Sequence, residues 1–186
     1  MQPDLIETYL AAERPALEKS EYVNGEIFPV PPAINAHSLI NTNVATLLHQ
    51  QVLNRDCVVL GSAMRLYVPA GPLFTYPDAS LVCGPVQVRP DGYDDNLLNP
   101  ALLVKVLPHE MPTHFKDVFE LYYSIPTVQH VLLVTEYAAL VSLGSRNENG
   151  LLNVYGFAGL DAVIMLPDLG LELPLAEIYR KVPLLA

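Results

Sequence analysis

The chain has 186 residues, 51% of them hydrophobic and 16% charged, which is enough to bury about two-thirds of its unfolded surface and too apolar for a disordered chain. Ten Lys and Arg face twenty Asp and Glu, a formal charge of −10. Arg180-Lys181 is the only adjacent basic pair, so no basic stripe exists to grip a phosphate backbone by counterion release. Apolar runs fall far short of the roughly 20 residues that cross a bilayer, and no basic-then-apolar leader precedes Asp4. The reading is a cytoplasmic protein with no membrane association, folded as one domain over residues 1–186. Prolines and glycines are dispersed as punctuation, with no linker and no repeat.

In chain order, Asp4 to Ala12 reads as a short helix with Asp4 as its cap and Pro15 beyond its end. Asn24-Gly25 between two short alternating runs predicts a tight hairpin, because both residues tolerate positive φ. Ile40, Val44, Leu47, Leu48 and Val52 recur at helical spacing and predict an amphipathic helix over Ile34 to Leu53. Strands are expected at Cys57 to Leu60, Met64 to Val68, Tyr76 to Cys83 and Ala101 to Leu107. A polar segment from Arg89 to Asn99 separates the last two. A helix from His114 to Tyr123 precedes strands at Gln129 to Val134, Ala139 to Leu143, Leu151 to Phe157 and Ala162 to Leu166, and a helix near Leu175 to Arg180 closes the chain. Helices before, within and after a mixed sheet give an α/β or α+β core. Cys57 and Cys83 sit in apolar stretches and read as free, buried thiols.

Lys105 stands alone in a segment apolar on both faces, where an ammonium loses several kcal/mol of hydration unless a carboxylate answers it. Asp78, at the mouth of a neighbouring apolar strand, is the expected partner. Such pairing favours a structural lysine over a catalytic one, whose pKa would need to be depressed. His109, Glu110 and His114 cluster ahead of a helix, with His130 after it, but their spacing and Pro112 do not suit the two-histidine helical turn of a zinc peptidase. His37 opens the long helix. No phosphate-cradling glycine loop, serine elbow or Cys-x-x-Cys is present.

Taken together, Gly25-Glu26 in the hairpin, His37 on the long helix, Tyr76-Pro77-Asp78, Asn99-Pro100-Ala101-Leu102-Leu103-Val104, Tyr122-x-x-Ile125-Pro126 and the late Leu166-Pro167-Asp168 segment resemble the Uma2 family. These are restriction-endonuclease-like proteins of the PD-(D/E)XK class, and the likeness runs from about Glu18 to Tyr179. It implies a restriction-endonuclease-like mixed sheet flanked by helices. It also implies a Mg²⁺ or Mn²⁺ site in which the aspartate of Pro-Asp and a glutamate on the next core strand hold the ion, while a helical lysine orients water.

Asp78 matches the first position. Lys105 stands where the pattern has glutamate and Val118 where it has lysine; Pro108, His114 and Thr135 replace a serine and two aspartates. The resemblance thus implies the nuclease fold with an impaired catalytic site, Asp78 being the one matched metal ligand and Glu26, His37 and His114 the groups around it. Under this reading the Lys105 ammonium fills the place of the lost cation beside Asp78, and the chain binds partners or dimerises. The alternatives are an active nuclease rewired through Glu26, His37, Glu110 or Lys116, and a small-anion site with His37 and Lys105 as donors. Nucleic-acid binding is expected to be weak, and the chain is expected to form a homodimer.

Overall fold

In the computed structural model the backbone is described for residues 3–184 and the side chains from Leu5 to Leu184; the cap expected at Asp4 lies outside those described side chains. Helix α1 (Pro3–Glu13) leads into strands β1 (Ser20–Val23) and β2 (Glu26–Pro29). Their register pairs Val23 with Glu26, so Asn24 and Gly25 alone form the turn, with φ of 52° and 103°. Positive φ at both positions is the two-residue hairpin geometry that matches strand twist. Helix α2 (Asn35–Val52) buries Ile40, Val44, Leu48 and Val52, four residues apart on one stripe. Burial of each stabilises by about 1.5–3 kcal/mol.

Strands β3 (Cys57–Gly61), β4 (Arg65–Val68), β5 (Leu73–Thr75), β6 (Ala79–Cys83), β7 (Asn96–Leu97) and β8 (Leu102–Leu107) follow, then helix α3 (Phe115–Tyr122). The remainder is β9 (His130–Thr135), β10 (Leu140–Arg146), β11 (Leu152–Ala158), β12 (Val163–Leu166), β13 (Leu171–Pro174) and α4 (Leu175–Ile178). They assemble into a five-stranded sheet ordered β2-β1-β5-β4-β7, a six-stranded sheet ordered β11-β10-β9-β8-β6-β3, and the β12-β13 hairpin. Strand β8 pairs antiparallel with β6 and parallel with β9, α3 lying in the crossover between the parallel pair.

Period-two alternation along β8 divides the core. Leu102, Val104 and Val106 face α2, α4 and the β12-β13 hairpin; Leu103 faces α3 and the inner side of the five-stranded sheet, among Val23, Leu66, Leu73, Val118 and Tyr122. Ile6, Tyr9 and Leu10 of α1 cover the sheet's other side through Tyr22 and Phe74. The layers thus run α1, five-stranded sheet, six-stranded sheet, α2.

Three short strands escape the sequence pattern. β5 was expected to be loop before Tyr76, β7 lies inside the polar Arg89 to Asn99 segment, and β13 follows Leu169-Gly170. The polar segment is held by ion pairs: Arg14 binds Asp91 and Asp95, Arg65 binds Asp95 at 2.6 Å, and Arg89 binds Glu7 and Asp91. The cysteines are a further correction, because Cys57 and Cys83 are bonded as a disulfide. They are direct register partners across β3 and β6, with Cα atoms 4.0 Å apart. Separate apolar stretches became opposed positions once the strands paired.

Candidate functional site

Asp78 lies where β6 begins to pair with β8. Its main-chain N–H donates to the Val104 carbonyl at 2.8 Å, and its Oδ2 accepts the Val106 N–H at 2.7 Å. Asp78 therefore extends the ladder on both sides of Lys105, with its main chain at Val104 and its carboxylate at Val106. Oδ1 meets His37 Nε2 at 2.7 Å, and the other nitrogen of that ring, Nδ1, is 3.6 Å from Glu136 Oε2. Asp78 is 5% exposed, so both oxygens need the partners they have. Helix α2 supplies His37 in its first turn, and Glu136 follows directly after β9. Because β8 and β9 run parallel in register, Leu107 beside Thr135, Glu136 arrives at the same end of the sheet.

Lys105 does not pair with Asp78, contrary to expectation. Its side chain leaves β8 on the face opposite Val104 and Val106, toward the five-stranded sheet. There Nζ lies 3.3 Å from Glu21 Oε1 and donates to the Tyr76 carbonyl at 3.0 Å. Strand alternation is the reason: a one-residue step from Val104 or Val106 changes the face. Thr75 Oγ1 donates to Glu21 Oε1 at 2.5 Å, and His114 Nε2 meets Oε2 at 3.1 Å while its ring stacks on Phe28. Burial alone would raise the Glu21 carboxyl. The Lys105 charge and the hydrogen bonds from Thr75, His114 and Lys105 outweigh it and hold the group below the ordinary carboxylate range. Burial would likewise lower Lys105, but the Glu21 charge, with Tyr122 and Asp78, holds it above the ordinary lysine value. It stays protonated.

The other expected residues separate. Val118 is 4% exposed, packed in the core beside Tyr122. Glu26 is on the exposed arm of the hairpin, Glu110 is exposed, and Lys116 points to solvent with Glu120 one turn on. His109 packs edge-on against Tyr137. His130, at the opposite end of β9 from Glu136, sits between Ser145 and Asp168, 2.8 Å from each. Thr135 Oγ1 donates to the Ala138 carbonyl and closes the β9-β10 turn. His37 and Lys105, the two donors of an anion site, are directed to different carboxylates. Sequence reasoning missed Glu21 and Glu136. Glu21 reads as the polar side of a hairpin until β5 pairs beside it and Lys105 of β8 meets it from the other sheet, whereas an acid next to the Thr135 position was a usable signal for Glu136.

The donor set does not fit a divalent ion between two carboxylates. On β8, where the family resemblance implies a second carboxylate, Lys105 brings an ammonium, and Asp78 is engaged by an imidazole and a main-chain N–H. Among the described residues no group of three His, Cys, Asp or Glu side chains is placed to hold a metal.

The family model described as "Putative restriction endonuclease", Uma2, matches residues 6–176. The chain belongs to the Uma2 family. Two Synechocystis proteins are similar to it: the uncharacterized protein slr1290, 27% identical over 175 residues (94% of this chain and 90% of that one), and the uncharacterized protein sll1609, 30% identical over 130 residues (69% and 73%). Among solved structures, the Anabaena variabilis protein described as a putative nuclease belonging to DUF820 superposes with a TM-score of 0.74. It is 18% identical, over 94% of this chain and 96% of that chain. The Uma2 chain thus has the restriction-endonuclease-like α+β fold. Among the described residues, no helix is long and apolar enough to cross a membrane.

Proposed function

We propose that this Uma2 protein keeps the nuclease scaffold with its hydrolytic centre taken up by two separate ion-paired groups, Asp78 with His37 and Lys105 with Glu21, and that it works by binding rather than by phosphodiester cleavage. One observation carries the reading: the ammonium of Lys105, on β8 where the family resemblance implies a metal-binding carboxylate, is already matched by Glu21. The Lys105 charge, though held at Glu21, also acts on Asp78 and opposes a divalent ion there. Val118, in the place of the water-orienting lysine, has no atom that can polarise water or meet developing charge on phosphorus.

The charge distribution supports the same reading. Arg14, Arg65, Arg89 and Lys105 each answer a carboxylate of the chain itself, while Lys19, Arg55 and Arg146 donate to main-chain carbonyls. Little positive charge is left for a phosphate backbone, so any duplex binding is weak.

Incubation of supercoiled plasmid and short single strands with the purified protein and Mg²⁺ or Mn²⁺, beside Asp78→Asn, tests the proposal. No cleavage above the variant is expected. Cleavage by the wild type that Asp78→Asn abolishes would overturn it and point to a site rewired through His37 and Glu136.

A further inference from the structure

Strand β11 ends the six-stranded sheet, and all of its residues but Phe157 are exposed. Its seven residues, Leu152-Asn153-Val154-Tyr155-Gly156-Phe157-Ala158, contain no charge and no proline, and they pair with β10 through seven uninterrupted positions without a bulge. Those are the devices that normally keep an edge strand from pairing with another chain. The edge strand β2, by comparison, carries Glu26 and Pro29, and β7 is two residues long.

The direction of each peptide group in β11 follows from its two flanking bonds. The Asn147 N–H donates to the Leu151 carbonyl, and the Gly159 N–H donates to the Ala139 carbonyl. In an antiparallel ladder, hydrogen-bonded positions alternate. Residues 151, 153, 155, 157 and 159 therefore turn their peptide groups toward β10, and Leu152, Val154, Gly156 and Ala158 turn theirs outward.

We propose that β11 pairs antiparallel with β11 of a second copy, about a two-fold axis at Tyr155, joining two six-stranded sheets into one. This register places Val154 opposite Gly156 of the second copy and Leu152 opposite Ala158, so every outward peptide group is used in hydrogen-bonded pairs. Tyr155 meets its own counterpart at a non-hydrogen-bonded position, where side chains approach most closely. Leu152, Val154 and Tyr155, 41%, 64% and 48% exposed, become covered, with Leu140 and Leu160 flanking.

Charge favours a second copy as the occupant. Two chains of −10 repel, and repulsion is least where both contribute an uncharged strand. The two-fold arrangement is self-complementary and closes at two copies. It rests on the β11 edge alone, independently of the proposal for Asp78 and Lys105.

Gly156→Pro tests the pairing selectively. The Gly156 N–H points away from β10, its φ is not positive, and a Cβ there meets nothing within 4 Å, so proline removes only the outward donor and obstructs the approach of another strand. Sedimentation equilibrium over about a hundredfold range of concentration is expected to show wild-type mass rising toward two chains of 20.4 kDa each. Gly156→Pro and Val154→Lys should stay monomeric with unchanged circular dichroism, and Ile27→Lys on the edge strand β2 should dimerise like wild type. A wild type that stays monomeric throughout would overturn the proposal. So would a dimer that both β11 variants leave intact.

Discussion

The Lys105 ammonium is matched by Glu21, 3.3 Å away on the five-stranded sheet, and so the ion pair ties β8 to β1 across the interface of the two sheets. Glu21 is buried and Lys105 half-buried, so removing one partner strands the other. Lys105→Met and Glu21→Gln are each expected to cost about 3 kcal/mol. The double variant should cost less than their sum by about 1–3 kcal/mol. Urea denaturation of the four proteins measures this coupling. The corresponding cycle of Lys105→Met with Asp78→Asn should give a smaller coupling, since Asp78 is bound by His37 and Val106.

What was legible in the sequence follows from how local each signal is. The Asn24-Gly25 turn, the α2 stripe and the buried strand around Lys105 depend on periods of two or four residues, and they form as read. The partner of Lys105 was not legible, because alternation gives the opposite face without telling which strand lies over it. Asp78 looked like the partner by proximity along the sheet, and its side chain is instead spent on the ladder and on His37. Cys57 and Cys83 show the same limit: their bond depends on the β3-β6 register, which neither stretch specifies alone. Glu136 depended on the parallel pairing of β8 with β9, which brings residues far apart in sequence to one end of a sheet.

Acid should weaken the fold through Glu21. Its folded pKa is below the ordinary value, so its contribution is complete above the unfolded pKa of about 4.3 and is lost as pH falls through the folded value. Lys105 has the opposite sign. Its contribution is complete below the unfolded value of about 10.4 and is lost only as pH rises through the folded one. Melting temperature against pH is therefore expected to stay level for this pair from about pH 5 to 9. In Glu21→Gln the fall below that range should be shallower.

Restoring a lysine at the helical position should fail as a repair. Val118 is 4% exposed among Leu66, Leu103 and Tyr122, so Val118→Lys buries an ammonium in an apolar cluster while the carboxylates of α3, Asp117 and Glu120, stand on its exposed face. A loss of about 3 kcal/mol is expected by urea denaturation, with no gain of nuclease activity.

The Cys57-Cys83 bond spans 26 residues, and closing a loop of that length stabilises by about 3.5 kcal/mol through the entropy of the unfolded chain. Reduction, or Cys57→Ala with Cys83→Ala, should lower the urea midpoint accordingly. Thiol alkylation with mass spectrometry before and after reduction checks that the bond is present in the sample.

Titration of Mn²⁺ into the wild-type protein, followed by calorimetry, tests most directly whether a cation site remains at Asp78. With Asp78 taken up by His37 and the Val106 N–H, and the Lys105 charge standing on the next strand, no saturable binding is expected, in the wild type and in Asp78→Asn alike. One Mn²⁺ bound per chain by the wild type and lost in Asp78→Asn would contradict it.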